Sequence, residues 1–184
     1  MLPARYDPQA VEAKWQAIWN AEEAFRAEPI SRDGVPPVAP DRPKAYILEM
    51  LPYPSGEAHM GHVKNYTMGD VVAHFRRRQG WMVFHPMGYD AFGLPAENAA
   101  IRTGRPPEEV TRENIARIRE QLMRLGFSID WQTELATCDE AFYRWTQWLF
   151  LRMFEKGLAE RREAAVNWCP TDQTVLANEQ VIDG

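Results

Sequence analysis

The sequence predicts an α/β fold, a parallel sheet flanked by helices, from three consecutive features. Residues 45–51 (Ala-Tyr-Ile-Leu-Glu-Met-Leu) are a short, mostly apolar run bounded by prolines, as expected of a buried parallel strand. Pro52, Pro54, Ser55 and Gly56 then make a turn, after which a helix starts near His59 to Gly61, runs to Arg78 and is closed by Gly80. Residues 81–85 are a second apolar run, so strand, helix and strand follow in the order of a parallel crossover, and a doubly wound sheet is the economical reading.

The flanking elements follow from local spacing. From Asp7 onward, Val11, Trp15, Ile18 and Trp19 recur at helical intervals, with Pro8 where a first turn tolerates it, which predicts an amphipathic arm helix. Pro29, Pro36, Pro37, Pro40 and Pro43, with Gly34, forbid regular structure and mark a connector. Residues 1–44 are therefore expected to be arm and connector, and residues 45–184 the domain proper. Asp90 follows a strand and a Gly88-Tyr89 turn, which places its carboxylate at the carboxyl edge of the sheet, where open α/β sheets bind ligands; a turn or helix-capping aspartate is the alternative. Ile115, Ile118, Leu122 and Leu125 share a helical face, with Thr111 as cap and Gly126 as stop. Residues 139–156, ended by Gly157, make another helix.

The 184 residues are 45% hydrophobic, enough for one ordinary core. A net charge of −5 does not give the basic footprint of a self-sufficient nucleic-acid binder, so any RNA contact is local or supplied elsewhere. Cys138 and Cys169 are too few for a disulfide framework, and no leader-like segment or membrane-length apolar run occurs, which predicts a soluble cytoplasmic protein without membrane contact. Arg76, Arg77 and Arg78 fall in a helix's last turn, where cations complement the dipole and normally form a solvated face.

His59-Met60-Gly61-His62 lies between strand and helix, so the two imidazoles, three positions apart, share a face at the first turn. Unpaired N–H groups at a helix start favour an anion, and Gly61, lacking a Cβ, lets a flat base or a phosphate approach the backbone. The tetrapeptide alone also fits a surface pair or two metal ligands. Zinc takes about four ligands, and His74 and His85 stand at no companion spacing. Neither a Gly-x-x-x-x-Gly-Lys nor a Gly-x-Gly-x-x-Gly loop occurs, so the common phosphate loops are missing.

The segment from Pro52 through Tyr53, Pro54, Ser55, Gly56, Glu57 and Ala58 to His59-Met60-Gly61-His62 resembles the signature of class I aminoacyl-tRNA synthetases, in the version used by leucyl-tRNA synthetases. The resemblance extends through Asn65-Tyr66-Thr67-Met68-Gly69-Asp70, through Gly88-Tyr89-Asp90-Ala91-Phe92-Gly93-Leu94-Pro95-Ala96-Glu97-Asn98, and through Val166-Asn167-Trp168-Cys169-Pro170 to Val181. It implies the first half of a Rossmann-like catalytic domain, ending before the editing insertion, and ATP-dependent formation of leucyl-adenylate followed by transfer to tRNA(Leu), with Mg²⁺ assisting. By this resemblance His59 and His62 contact the triphosphate and stabilise the transition state, and Gly61 accommodates adenine. Pro52, Tyr53, Pro54, Ser55, Gly56 and Asn65 complete the ATP site, Asp90 takes the substrate ammonium group, and Met50, Leu51 and Tyr53 line the amino-acid pocket. Glu97 and Asn98 are motif members without an assigned role.

Some relatives have a cysteine where Asp172 stands, as part of a zinc module, so Cys169 is either a partial zinc ligand completed by residues beyond this chain or an inert thiol; Cys138 has only the second reading. No Lys-Met-Ser-Lys-Ser loop, anticodon-side bundle or editing site is present, so little independent aminoacylation is expected without the remainder of a synthetase. Two other readings stand beside this one: a non-catalytic paralogue that binds leucine, ATP or leucyl-adenylate, and a class I synthetase for methionine, valine or isoleucine. Pro-Ser-Gly before the histidines and Gly-Leu-Pro-Ala-Glu-Asn after Asp90 favour leucine.

Overall fold

Asp7 accepts hydrogen bonds from the N–H groups of Gln9 and Ala10 and so starts α1 (Pro8–Ala21), the arm helix expected from the sequence. The computed structural model describes residues 6–27 and 42–182, so the proline-rich connector, up to residue 41, lies outside the described residues. The α1 helix docks through Gln16, whose Nε2 donates to the Arg124 carbonyl at 2.9 Å.

The crossover is present. Strand β1 (Lys44–Tyr46) pairs in parallel with β2 (Met82–Phe84), Ala45 opposite Val83, and α2 (Met60–Arg78) connects them. The ladder is shorter than the expected 45–51, extending only to the Ile47 N–H on the Phe84 carbonyl, because Pro86 closes off β2 and has no N–H to offer. Nor is this run buried throughout: Ala45, Ile47, Glu49 and Leu51 are half-buried, while Tyr46, Leu48 and Met50 face outward uncovered.

Gly88 and Tyr89 are not a turn but a strand, β3 (Gly88–Tyr89), followed by α3 (Leu94–Thr103), α4 (Pro107–Arg124) and the parallel partner strand β4 (Leu135–Ala136). A Cβ at Gly88 would stand 2.9 Å from Leu51 Cδ2 and 3.0 Å from Leu135 Cδ1, so this glycine serves close strand packing rather than a bend. Thr111 does not cap α4. The helix starts a turn earlier, on Pro106-Pro107 with Glu108 and Glu109 in its first turn, a preset φ and two charges that suit a helix N-terminus, and Thr111 is buried inside it.

Tyr66 from α2, Ile118 and Leu122 from α4, Tyr89 from β3 and Ala136 from β4 meet in one core with Met87, Phe127 and Ile129. Leu122 is fully buried, which contributes about 1.5–3 kcal/mol. Cys138 is half-buried and packs against this cluster.

By its internal contacts the chain divides after Tyr143. Across that boundary runs α5 (Glu140–Glu155), and the second unit holds an antiparallel hairpin of β5 (Asn167–Cys169) and β6 (Thr174–Leu176), Trp168 opposite Val175. No helix among the described residues is long and apolar enough to cross a membrane.

Candidate functional site

His59 is the N-cap of α2, with φ −128° and ψ 173°. Its Nδ1 accepts the Gly61 N–H at 3.1 Å, and His62 Nδ1 accepts the His59 N–H at 3.1 Å, so the two histidines close a reciprocal capping box usually built from a hydroxyl and a carboxamide or carboxylate. The rings lie stacked, centroids 3.9 Å apart and planes 24° apart, on the shared face expected of them. The N–H groups at this helix start are less open than the sequence suggested. Those of His62 and Val63 reach the His59 carbonyl and that of Gly61 is taken by the ring, so an incoming anion meets imidazoles before bare backbone.

With Nδ1 of each ring engaged as acceptor, the proton of each neutral imidazole sits on Nε2. The capping box thereby presets the tautomer and leaves two Nε2–H donors. Burial, and then the neighbouring His59, holds the His62 imidazole below its ordinary pKa, which favours the neutral, capping form. Gly61 makes room for this arrangement, since a Cβ there would lie 2.8 Å from His59 Cε1.

The loop before the histidines is held from below by α4. Asn114 Nδ2 donates to the Pro54 carbonyl at 3.0 Å and Gln121 Oε1 accepts the Ala58 N–H at 2.9 Å. Pro52 and Pro54 are buried, Gly56 is half-buried, and Tyr53 and Ser55 are exposed. On the other side, the Asp90 N–H donates to the Pro52 carbonyl at 3.0 Å, and Thr137 Oγ1, which accepts the Ala91 N–H, lies 3.5 Å from Asp90 Oδ1. The expected amino-acid-side residues therefore sit together: Met50 and Tyr53 exposed, Leu51 and Asp90 half-buried, where β3 ends beside the chain that follows β1. One turn into α2, Asn65 Nδ2 is a buried side-chain nitrogen without a hydrogen-bond partner among the described residues.

Sequence reasoning missed the supports of this site. Asn114 and Gln121 are polar residues flanking the apolar stripe of Ile115 and Ile118, and Glu49 is an acid on the inward stripe of Ala45, Ile47 and Leu51; those mismatches were the available signal. Arg77 does not belong to a solvated face. Its guanidinium bonds Ser128 Oγ at 2.5 Å and the Ser128 carbonyl at 2.9 Å, lies over Phe25, and has its pKa lowered by desolvation against the opposing pull of Asp70 and Asp130. Arg76 stacks on Trp81, and only Arg78 of the three is exposed.

Cavities of about 340 and 600 Å³ border α1 and the end of α4, and neither includes the histidines or Asp90. Cys169 Sγ lies 3.2 Å from Asp172 Oδ2 and accepts the Asp172 N–H. Among the described residues, no group of three or more His, Cys, Asp and Glu side chains is placed to hold a metal.

Two short parallel strand pairs flanked by helices, with stacked histidines opening the helix of the first crossover, make an α/β fold of the class I synthetase kind. The family model of class I tRNA synthetases (I, L, M and V) matches residues 14–183, and the chain belongs to that family. It is similar to the leucine–tRNA ligase of Oleidesulfovibrio alaskensis, 59% identical over 98% of this chain and 21% of the relative, and to that of Thermotoga maritima, 56% identical over 97% and 21%. Among solved structures it resembles the ternary complex of the Agrobacterium radiobacter K84 agnB2 LeuRS with tRNA and LeuAMS, at a TM-score of 0.85 and 44% identity, covering 98% of this chain and 22% of that one. The chain thus spans about a fifth of the length of these relatives.

Proposed function

We propose that these residues are the ATP- and amino-acid-binding part of a leucine–tRNA ligase. In the reaction the leucine carboxylate attacks the α-phosphorus of ATP, pyrophosphate leaves, and a hydroxyl of the terminal ribose of tRNA(Leu) then takes the leucyl group from the adenylate, releasing AMP. The observation that carries this reading is the capping box of His59 and His62, because it holds two stacked imidazoles with Nε2–H as donors at the start of the crossover helix, after the loop whose Pro52 carbonyl takes the Asp90 N–H. Phosphoryl chemistry asks mainly for positioning and for donors aimed where negative charge develops, which two preset imidazoles supply.

His59 and His62 bind the triphosphate and stabilise the transition state. Gly61 accommodates adenine, Pro52, Tyr53, Pro54, Ser55 and Gly56 border the nucleotide, and Asn65, whose buried amide nitrogen has no partner among the described residues, donates to it. Asp90 receives the leucine ammonium group, and Met50, Leu51 and Tyr53 line the side-chain pocket. Mg²⁺, when bound with ATP, would neutralise part of the triphosphate's charge; among the described residues no group of three or more His, Cys, Asp and Glu side chains is placed to hold a metal by itself. A zinc ion could take Cys169 and Asp172 from this chain, at most two of about four ligands, and would need the rest from elsewhere. The net charge of −5 assigns most tRNA contact to other parts of the cytoplasmic enzyme, and these residues alone are expected to show little or no aminoacylation.

Replacing His62 by Ala in the full-length enzyme tests the assignment. Leucine-dependent exchange of pyrophosphate into ATP should fall by about 10²–10³, the usual cost of one lost transition-state donor, while the leucine KM changes little. An unchanged turnover would remove His62 from the mechanism.

A further inference from the structure

We propose that Glu49 and His85 form a positioning pair that sets the amino-acid side of the site, a role that rests on the leucine-activating reading above. The Glu49 side chain is only 8% exposed and points into α2, where Gly69 makes the recess: a Cβ at position 69 would lie 1.4 Å from Glu49 Oε1. His85 is fully buried at the end of β2. Its Nε2 lies 2.9 Å and 3.1 Å from the two Glu49 oxygens, and its Nδ1 lies 3.1 Å from the Ser128 carbonyl. Both ring nitrogens therefore face acceptors. One proton between Nδ1 and the Ser128 carbonyl and one between Nε2 and the Glu49 carboxyl group meet every hydrogen bond of the pair.

The far end of the pair is fixed as well. Asp70 Oδ1 accepts both the N–H and the Oγ–H of Ser128 at 2.6 Å, and the Ser128 carbonyl also takes Arg77 Nη2 at 2.9 Å. Glu49 is thus tied through His85 and Ser128 to two turns of α2, a more rigid support than its loop position would give.

What Glu49 positions is read from the next residues. The Met50 carbonyl accepts the Tyr66 hydroxyl at 2.8 Å, and the Pro52 carbonyl accepts the Asp90 N–H at 3.0 Å. A shift of Glu49 passes directly to Met50, Leu51 and Pro52, and through Pro52 to Asp90. The histidines are fixed separately, by their own capping box and by Asn114 and Gln121 beneath the loop. Loss of the pair should therefore disturb leucine more than ATP.

The test uses the full-length enzyme, with rates of leucine-dependent pyrophosphate exchange normalised to folded protein. Glu49→Ala and His85→Ala are expected to raise the leucine KM by one to two orders of magnitude, the scale of an ångström-sized misplacement, with the ATP KM within about twofold of wild type. Glu49→Gln should restore most of the leucine KM, because its amide can donate to Nε2 while His85 Nδ1–H still reaches Ser128. Where the alanine variants do not fold, Glu49→Asp, one methylene shorter with its charge kept, should show the same bias toward leucine. Equal rises in both KM values, or a lower melting temperature with both KM values unchanged, would make the pair merely structural and overturn the proposal. A wild-type enzyme without leucine-dependent exchange would instead overturn the reading on which the pair's role depends.

Discussion

A methyl group at position 61 would lie 2.8 Å from Cε1 and 2.9 Å from Nδ1 of His59, so Gly61→Ala forces the ring off its cap. Two effects on stability then oppose each other: alanine gains about 1 kcal/mol over glycine within a helix, and a lost N-cap costs about 1 kcal/mol. The melting temperature should barely move while pyrophosphate exchange falls markedly, and wild-type exchange in Gly61→Ala would show that His59 need not be held. The His62 pKa, lowered by burial and by His59, gives a second test with a definite sign. The unfolded chain protonates His62 near the ordinary imidazole value, about 6.5, while the folded chain resists until lower pH. Stabilisation from the neutral ring is therefore complete above that value and is lost as pH falls through the lowered folded pKa. His62→Gln keeps an acceptor at the third helical position but does not titrate. Denaturant unfolding should show wild type losing stability relative to His62→Gln as the pH falls below about 6.5, and parallel curves would refute it.

Helix α4 supports the loop before the histidines through two side chains that interrupt its apolar face. Gln121→Leu would leave the Ala58 N–H without its partner, at a cost of about 1–3 kcal/mol, and hydrogen exchange at Ala58 should accelerate while amides of the α4 interior stay protected. Unchanged exchange at Ala58 would mean that the loop is held without Gln121. Legibility differs between elements for the same kind of reason. The α2 and α5 helices and the β1–α2–β2 crossover announce themselves through local signals, namely Gly80 and Gly157 at positive φ after the helices and apolar runs between prolines. Strand β3 did not, because Gly88-Tyr89 has the local chemistry of a turn, and only the approach of Leu51 and Leu135 reveals why the glycine is there. Helix α3 begins on Gly93 without a side-chain cap, so only Pro95 and Glu97 in its first turn mark its start, and α4 starts on Pro106-Pro107 where Thr111 offered a false signal. At the site, the histidines and Asp90 are legible as motif members. Glu49, His85 and Arg77 are not, since their partners lie 36 to 51 residues away in the chain.

At the scale of the whole molecule, the uncovered surface is apolar in an unusual degree. The α5 helix presents Trp145, Trp148, Leu149, Phe150, Leu151 and Phe154 around its circumference, all exposed, a pattern normally seen in helices enclosed by other protein. Tyr46, Leu48 and Met50, on one side of β1 and the chain that follows it, and Met68, Val71 and Phe75 on α2 are also bare. Isolated soluble chains seldom leave so much apolar surface in contiguous patches, and the relatives this chain matches are about five times as long. The described residues nevertheless contain both halves of the proposed adenylate site: His59, His62 and Asn65 for the phosphate side, and Met50, Tyr53 and Asp90 for leucine. A non-hydrolysable leucyl-adenylate analogue should therefore bind the folded chain and raise its melting temperature. At a concentration of about 100 Kd the gain is about 2.7 kcal/mol, or about 5–10 °C for a chain of this size. An aliphatic pocket distinguishes leucine from isoleucine by about 1–3 kcal/mol, so at the same concentration the isoleucyl and methionyl analogues should shift the transition much less. Equal shifts with all three would place the side-chain discrimination outside Met50, Leu51 and Tyr53. No shift with any of them would mean that the pocket is not formed by these residues, and the leucine reading of Asp90 and its neighbours would fall with it.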